Sequence, residues 1–223
     1  TSAPELVVNL FAAIQQHHEI VFGNIIGSNN FNLFVILGIA GLVTPLTVKS
    51  TTVWKEIPLS LVAILMLMLL ANDFHIHDRN VLSRVDGIIL LGMFVLFLWY
   101  VIRQMKSDVD IHMECKECSG IKTAGMIILG MGGLIAGGRL VVMNAEALAL
   151  DIGVSEKVIG LTIVAMGTSL PELVTSVIAG MKKNNDIAIG NIIGSNIFNI
   201  FLILGLSSVL RPQEFNTAFN SDI

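Results

Sequence analysis

The chain has 223 residues, 54% hydrophobic and only 13% charged, with a net charge of −4 and a mean hydropathy of +0.80. Soluble domains carry about 25% charged residues, so this composition excludes an ordinary soluble domain and points to an integral membrane protein with helical spans. The small net charge gives no ground for nucleic-acid binding, and two cysteines in one polar stretch do not make a disulfide framework.

Seven apolar segments follow one another. The first, Thr1 to about Ala13, is a half-span. The second runs from about Ile20 to Val43. The third, about Ile57 to Ala71, is short for a bilayer that calls for ~20 residues. The fourth covers about Gly87 to Ile102, the fifth Thr123 to Leu150, the sixth Val154 to Met181 and the seventh Ile187 to Leu210. The polar tail, Arg211 to Ile223, is expected to lead out of the last span. The chain opens without Met and already inside a motif, which reads as part of a longer chain. A first repeat lacking the helix that should cover it is expected to be poorly stable by itself.

That motif occurs twice. Thr1-Ser2-Ala3-Pro4-Glu5-Leu6 falls, without a gap, on Thr168-Ser169-Leu170-Pro171-Glu172-Leu173. The correspondence continues from Gly23-Asn24-Ile25-Ile26-Gly27-Ser28-Asn29-Asn30-Phe31-Asn32 to Gly190-Asn191-Ile192-Ile193-Gly194-Ser195-Asn196-Ile197-Phe198-Asn199, and on to Leu37-Gly38 and Leu204-Gly205. An internal repeat of this kind governs the reading of the whole fold. Between the two Pro-Glu motifs the chain crosses the membrane an odd number of times, so the copies run in opposite directions. The expected architecture is an all-α membrane protein of inverted repeats with discontinuous helices, its site near the midplane where the repeats meet.

Charge then sets orientation and divides the chain. Lys49, Lys55, Arg103, Lys106, Lys116, Lys122, Lys182 and Lys183 collect on one face; Arg79, Arg84, Lys157 and Arg211 collect on the other. The richer face reads as cytoplasmic. Residues 1–102 then form the first half, 103–122 a cytoplasmic loop and 123–223 the second half, in a multi-pass protein of the inner membrane.

The chemistry lies in the repeats. Thr168, Glu172 and Ser176 are four apart and share a helix face. Pro171 cannot donate to the carbonyl of Gly167, so the helix should break there. Asn24, Ser28 and Asn32 form a second polar ridge, as do Asn191, Ser195 and Asn199. Beside these run the pairs Gly23/Gly27 and Gly190/Gly194, which allow close helix approach. A carboxylate at membrane depth costs roughly 3 kcal/mol or more; a single Pro-Glu would read as a kink with a snorkelling side chain, whereas two inverted copies read as an oxygen cage. Carboxylates, amides, hydroxyls and freed carbonyls suit hard cations such as Na⁺ and Ca²⁺. The charges of Glu5 and Glu172 balance one Ca²⁺ or two Na⁺.

The two motif pairs resemble the alpha repeats of the sodium/calcium exchanger family, within the cation/Ca²⁺ antiporter superfamily and closest to its bacterial branch. The resemblance spans both repeats and nearly the whole chain. It implies a membrane antiporter that exchanges Na⁺ for Ca²⁺ by alternating access, with both ions as substrates in the bilayer. The residues offer no nucleophile and base pair for an enzyme, and no cofactor or protein partner is expected. By position the resemblance implies Glu5 and Glu172 as central carboxylates, Thr1 and Thr168 as ligands at the helix breaks, Ser28 and Ser195 as Na⁺-site hydroxyls, Asn32 as the central amide and Ala165 as a backbone carbonyl ligand. Many family members carry Asp where this chain has Asn199, which leaves two carboxylates instead of three and leaves the stoichiometry and the roles of H⁺ and K⁺ open. A proton-coupled cation exchanger is the alternative. A channel fits less well, because the motifs give one asymmetric cage and no ring of repeated filters.

Other features carry less. The stretch His112 to Cys118 could hold a regulatory metal, and Asp73, His75, His77 and Asp78 could concentrate cations; solvated polar loops account for both. Arg139 in the fifth segment is expected to snorkel or to pair with Glu146, and that glycine-rich segment is the candidate moving helix. Trp54, Trp99 and Tyr100 sit where interface aromatics do.

Overall fold

The fold comes from a computed structural model that describes residues 1–48, 52–72, 80–107 and 153–223, with part of 120–144. The cysteine loop, the His75 loop, Arg139 and the proposed motion of the fifth segment lie outside the described residues. Seven helices carry the argument: α1 (Ala3–Gln15), α2 (His18–Val43), α3 (Val53–Ala71), α4 (Arg84–Ser107), α5 (Lys157–Thr168), α6 (Leu170–Met181) and α7 (Asn185–Leu210).

Local chemistry sets their ends. Pro4 and Pro171 occupy the first turns of α1 and α6, where the missing N–H is not needed. Helix α5 ends at Thr168 and α6 resumes at Leu170 after a bend of 47°, so the expected break at the Pro-Glu motif is present, with Ser169 as the joint. Two spans are longer than the apolar runs suggest. A π turn over Thr52–Glu56 feeds into the third segment and gives it 19 residues, enough to cross a bilayer. Helix α4 starts at Arg84, not Gly87, because Ser83 and Asp86 cap it reciprocally: the Ser83 backbone N–H donates to Asp86 Oδ2 at 2.8 Å, and the Asp86 N–H donates to Ser83 Oγ at 3.3 Å.

The chain path shows the inversion. Helix α2 begins where α7 ends: His18 Nδ1 and Gln213 Oε1 are 2.9 Å apart. It ends where α7 begins: Asn185 Nδ2 donates to Thr47 Oγ1 at 2.8 Å. The repeat mates α2 and α7 are therefore antiparallel. An apolar 18-residue stretch of each is 44% and 61% buried, against 11% for α3 and 17% for α4. The repeats thus make the interior, while α3 and α4 turn Leu61, Leu65, Leu69, Ile88, Val95 and Leu96 outward, as lipid-facing helices do. Trp54 and Trp99 are also exposed, with the Arg103 guanidinium 5.4 Å from the Trp99 ring.

The tail departs from expectation. It does not simply lead away from the last span but folds back over one face. Strand β2 (Gln213–Glu214) pairs antiparallel with β1 (Val81–Leu82), and a 3₁₀ turn follows at Thr217–Ser221. The reason is apolar: Phe215 and Phe219 are buried against Phe22, with ring centroids 5.0 and 6.1 Å from it. Lys157 holds the end of the tail, with Nζ 2.7 Å from Asp222 Oδ2 and 4.8 Å above the Phe219 ring. Two aromatic side chains in a polar stretch were the available signal.

Candidate cation site

The helix break brings the two Pro-Glu motifs face to face. Glu5 and Glu172 are each 1% exposed. Ser2 Oγ donates to Glu172 Oε1 at 3.0 Å, and Ser169 Oγ donates to Glu5 Oε1 at 3.1 Å. Each serine sits three residues before the glutamate of its own copy and bonds the glutamate of the other. The contact is isologous, as a two-fold relation requires. Ser195 Oγ adds a longer bond to Glu172 Oε1 at 3.4 Å. The second oxygen of each carboxylate, Glu5 Oε2 and Glu172 Oε2, is buried without a hydrogen-bond partner.

The threonines repeat the same reciprocity. Thr168 Oγ1 donates to Asn24 Oδ1 at 3.0 Å, and Thr1 Oγ1 donates to Asn191 Oδ1 at 2.9 Å. Ser28 is fully buried among Asn24, Thr168 and the carbonyl of Ala165, at 3.4 to 3.5 Å from each. The Ala165 carbonyl lies at the break, where it also accepts from Thr168 Oγ1 at 3.3 Å and the Ser169 N–H at 3.1 Å. Ser195 lies 3.5 Å from Thr1 Oγ1.

A third layer consists of asparagines. Asn32 Nδ2 donates to Asn196 Oδ1 at 2.9 Å, and Asn199 Nδ2 donates to Asn29 Oδ1 at 3.0 Å. Asn32 Oδ1 and Asn199 Oδ1 are buried and unpartnered, like the free carboxylate oxygens. Both residues lie at π turns, Phe31–Ile36 in α2 and Asn199–Leu204 in α7. Such turns open the helical ladder and recur at functional sites.

Thus Thr1, Glu5, Ser28, Asn32, Ala165, Thr168, Glu172, Ser195 and Asn199 all come together around the repeat junction. Reading residues in sequence passed over Ser2, Ser169, Asn29 and Asn196. The signal for each pair was the repeat itself, since Ser2 aligns with Ser169 and Asn29 with Asn196. The glycine pairs behave differently from one another. A side chain at Gly27 would overlap the Leu161 carbonyl, and one at Gly23 would lie 3.1 Å from Gly160; α2 and α5 touch backbone to backbone there. Gly190 and Gly194 instead border a cleft of about 400 Å³ that also reaches Thr1, Asn191 and Ser195.

Chemically, the site offers two carboxylates and several neutral oxygens. Among the described residues no group of three or more His, Cys, Asp or Glu gathers as a transition-metal site would require. Hydroxyl, amide and carbonyl oxygens around two buried carboxylates suit a hard cation.

Antiparallel repeat mates, a helix broken at its Pro-Glu motif and a shared polar centre define a multi-pass helical membrane transporter of the inverted-repeat kind. The family described as sodium/calcium exchanger protein matches residues 1–103 and 122–223, and the chain belongs to that family. It is therefore a membrane transport protein of the cation/Ca²⁺ antiporter class, and its family is one of exchangers, not of catalysts. The inner membrane protein YrbG of Escherichia coli (strain K12) is 38% identical over 226 residues, covering 97% of this chain and 68% of its own. The sodium/calcium exchanger MaX1 of Methanosarcina acetivorans is 31% identical over 247 residues, covering 95% and 71%. A solved structure of the sodium-calcium exchanger NCX_Mj, soaked with 2.5 mM Na⁺ and 0.1 mM Ca²⁺, superposes with a TM-score of 0.75 at 28% identity, covering 97% of this chain and 69% of that one.

Proposed function

We propose that the protein exchanges Na⁺ for Ca²⁺, entry of Na⁺ driving Ca²⁺ out of the cytoplasm. The observation that carries this reading is the set of buried, unpartnered acceptor oxygens at the repeat junction: Glu5 Oε2, Glu172 Oε2, Asn32 Oδ1 and Asn199 Oδ1. Buried polar atoms are normally paired, and acceptors without donors call for a cation. Ca²⁺ takes the central place between Glu5 and Glu172, which neutralise it, with Asn32 and Asn199 as neutral ligands. Na⁺ competes for the same oxygens and for those around Ser28, Thr168 and Ala165 and around Ser195 and Thr1. Competition for one oxygen set makes occupancy mutually exclusive, and exchange follows when the cage faces the two sides alternately. The face carrying Thr47, Lys182 and Lys183 is cytoplasmic by its excess of basic residues. Both ions are substrates; no resident cofactor is required.

The alternative, in which Glu5 and Glu172 carry protons against the cation, uses the same cage. Ca²⁺ uptake into proteoliposomes separates the two. Uptake driven by an outward Na⁺ gradient at equal pH supports Na⁺ coupling. Uptake that ignores Na⁺ and follows a pH gradient replaces it with proton coupling. Absence of both rejects the Ca²⁺ reading.

A further inference from the structure

An amide is an ambiguous ligand for a cation. Its oxygen binds the ion and its NH₂ repels it, so a site built on Asn must dictate which end faces inward. A carboxylate has no wrong end. This chain carries amides at both central neutral positions, Asn32 and Asn199, and therefore faces the problem twice.

The structure contains a device that solves it. The backbone carbonyl of Asn29 can only accept, and it receives Asn196 Nδ2 at 3.3 Å. That contact turns Asn196 Oδ1 toward Asn32, whose Nδ2 donates to it at 2.9 Å. Asn32 Oδ1 is then left as the end with no partner, buried. The mirror chain runs from the Asn196 carbonyl to Asn29 Nδ2 at 3.4 Å, from Asn29 Oδ1 to Asn199 Nδ2 at 3.0 Å, and ends on Asn199 Oδ1. Asn29 and Asn196 are buried, each 9% exposed or less, so water does not readily substitute for either contact. Two main-chain carbonyls thus set the polarity of four side-chain amides.

We infer that Asn29 and Asn196 are positioning residues that lock the amides of Asn199 and Asn32 with their oxygens toward the transported cation. The inference rests on the cation reading given above. Residues that orient metal ligands from behind are worth roughly 10- to 100-fold in metal affinity, and a loss of that size is expected when the lock is removed.

A double-mutant cycle tests it. Ca²⁺ binding to the purified chain is measured by equilibrium dialysis for native protein, Asn196→Ala, Asn32→Asp and the double variant. In the native background Asn196→Ala leaves Asn32 free to turn its NH₂ inward, and affinity falls about 10- to 100-fold. In the Asn32→Asp background the same change costs little, because the carboxylate has no donor end to misplace; native Asn196, whose Oδ1 then faces a carboxylate, even hinders that variant. An equal loss in both backgrounds overturns the lock and makes Asn196 merely structural, and so does no loss in the native background. If Asn196→Ala fails to fold, the mirror cycle of Asn29→Ala with Asn199→Asp reads the same coupling. Should native protein bind no Ca²⁺, the cycle is read with Na⁺. Binding of neither ion ends the cation reading and the lock together, whereas binding without coupling ends the lock alone.

Discussion

The most demanding prediction concerns charge balance in the cage. With Ca²⁺ between Glu5 and Glu172 the complex is electrically neutral; in Glu172→Gln it keeps one positive charge. Both side chains are 1% exposed, so solvent does little to screen that charge. An uncompensated unit charge at membrane depth costs about 3 kcal/mol on insertion scales, and about 1.4 kcal/mol is a factor of ten in affinity. Ca²⁺ affinity should therefore fall about 100-fold in Glu172→Gln. Glu5→Gln should fall by a similar factor, because its mate has the same arrangement: one oxygen on a serine of the other repeat, one oxygen unpartnered. A single Na⁺ with the one remaining carboxylate is neutral, so Na⁺ binding should weaken far less. The assay is Ca²⁺ uptake into Na⁺-loaded proteoliposomes across a range of Ca²⁺ concentrations, with Na⁺ affinity read from its inhibition of Ca²⁺ binding. An unchanged Ca²⁺ affinity in Glu172→Gln, or equal losses for the two ions, would refute the charge-balance argument.

Three further outcomes are expected. Removing the crossed hydroxyls, Ser2→Ala or Ser169→Ala, takes a charge-assisted hydrogen bond worth about 1.5–3 kcal/mol from the opposite carboxylate. The two variants should shift half-saturating Ca²⁺ in the same direction, and a change in only one would contradict the reciprocal geometry. Gly27→Ala drives a methyl group into the Leu161 carbonyl and should destabilise by about 1–3 kcal/mol as an overpacked contact; thermal unfolding in detergent, read by loss of the monodisperse peak, measures it. Phe219→Ala empties a fully buried site against Phe22 and Phe215 and should cost about 3–5 kcal/mol by the same assay. A melting temperature equal to native would mean that the tail does not seal that face.

Much of this protein was legible in its residues because it is written twice. A repeat supplies its own comparison: Thr1 to Gly38 set beside Thr168 to Gly205 singled out the carboxylates, the hydroxyls and the amides without any other chain. The odd number of crossings turned the pair into an inverted one, and Pro171 beside Glu172 located the helix break by elementary backbone chemistry. Membrane class follows from composition alone, since 13% charged residues cannot coat a soluble surface.

Tertiary structure decided what a one-dimensional pattern cannot hold. Helical spacing says which side chains share a face, not which face of which helix they meet. Ser2 and Ser169 carry no role in the linear pattern, yet each serves the glutamate of the opposite copy, a fact that exists only once the repeats are interlocked. Asn29 and Asn196 stand next to the serine ridge in sequence, but their hydrogen bonds run across the junction to the amides of the other copy. The tail reads as polar, and only the pocket formed around Phe22 shows why Phe215 and Phe219 draw it back. Composition and repetition therefore determined the membrane class, the inversion and the donor atoms, because these are properties of the chain itself. The crossed pairing of those donors was decided in space, because a hydrogen bond depends on the distance between helices and not on the distance along them.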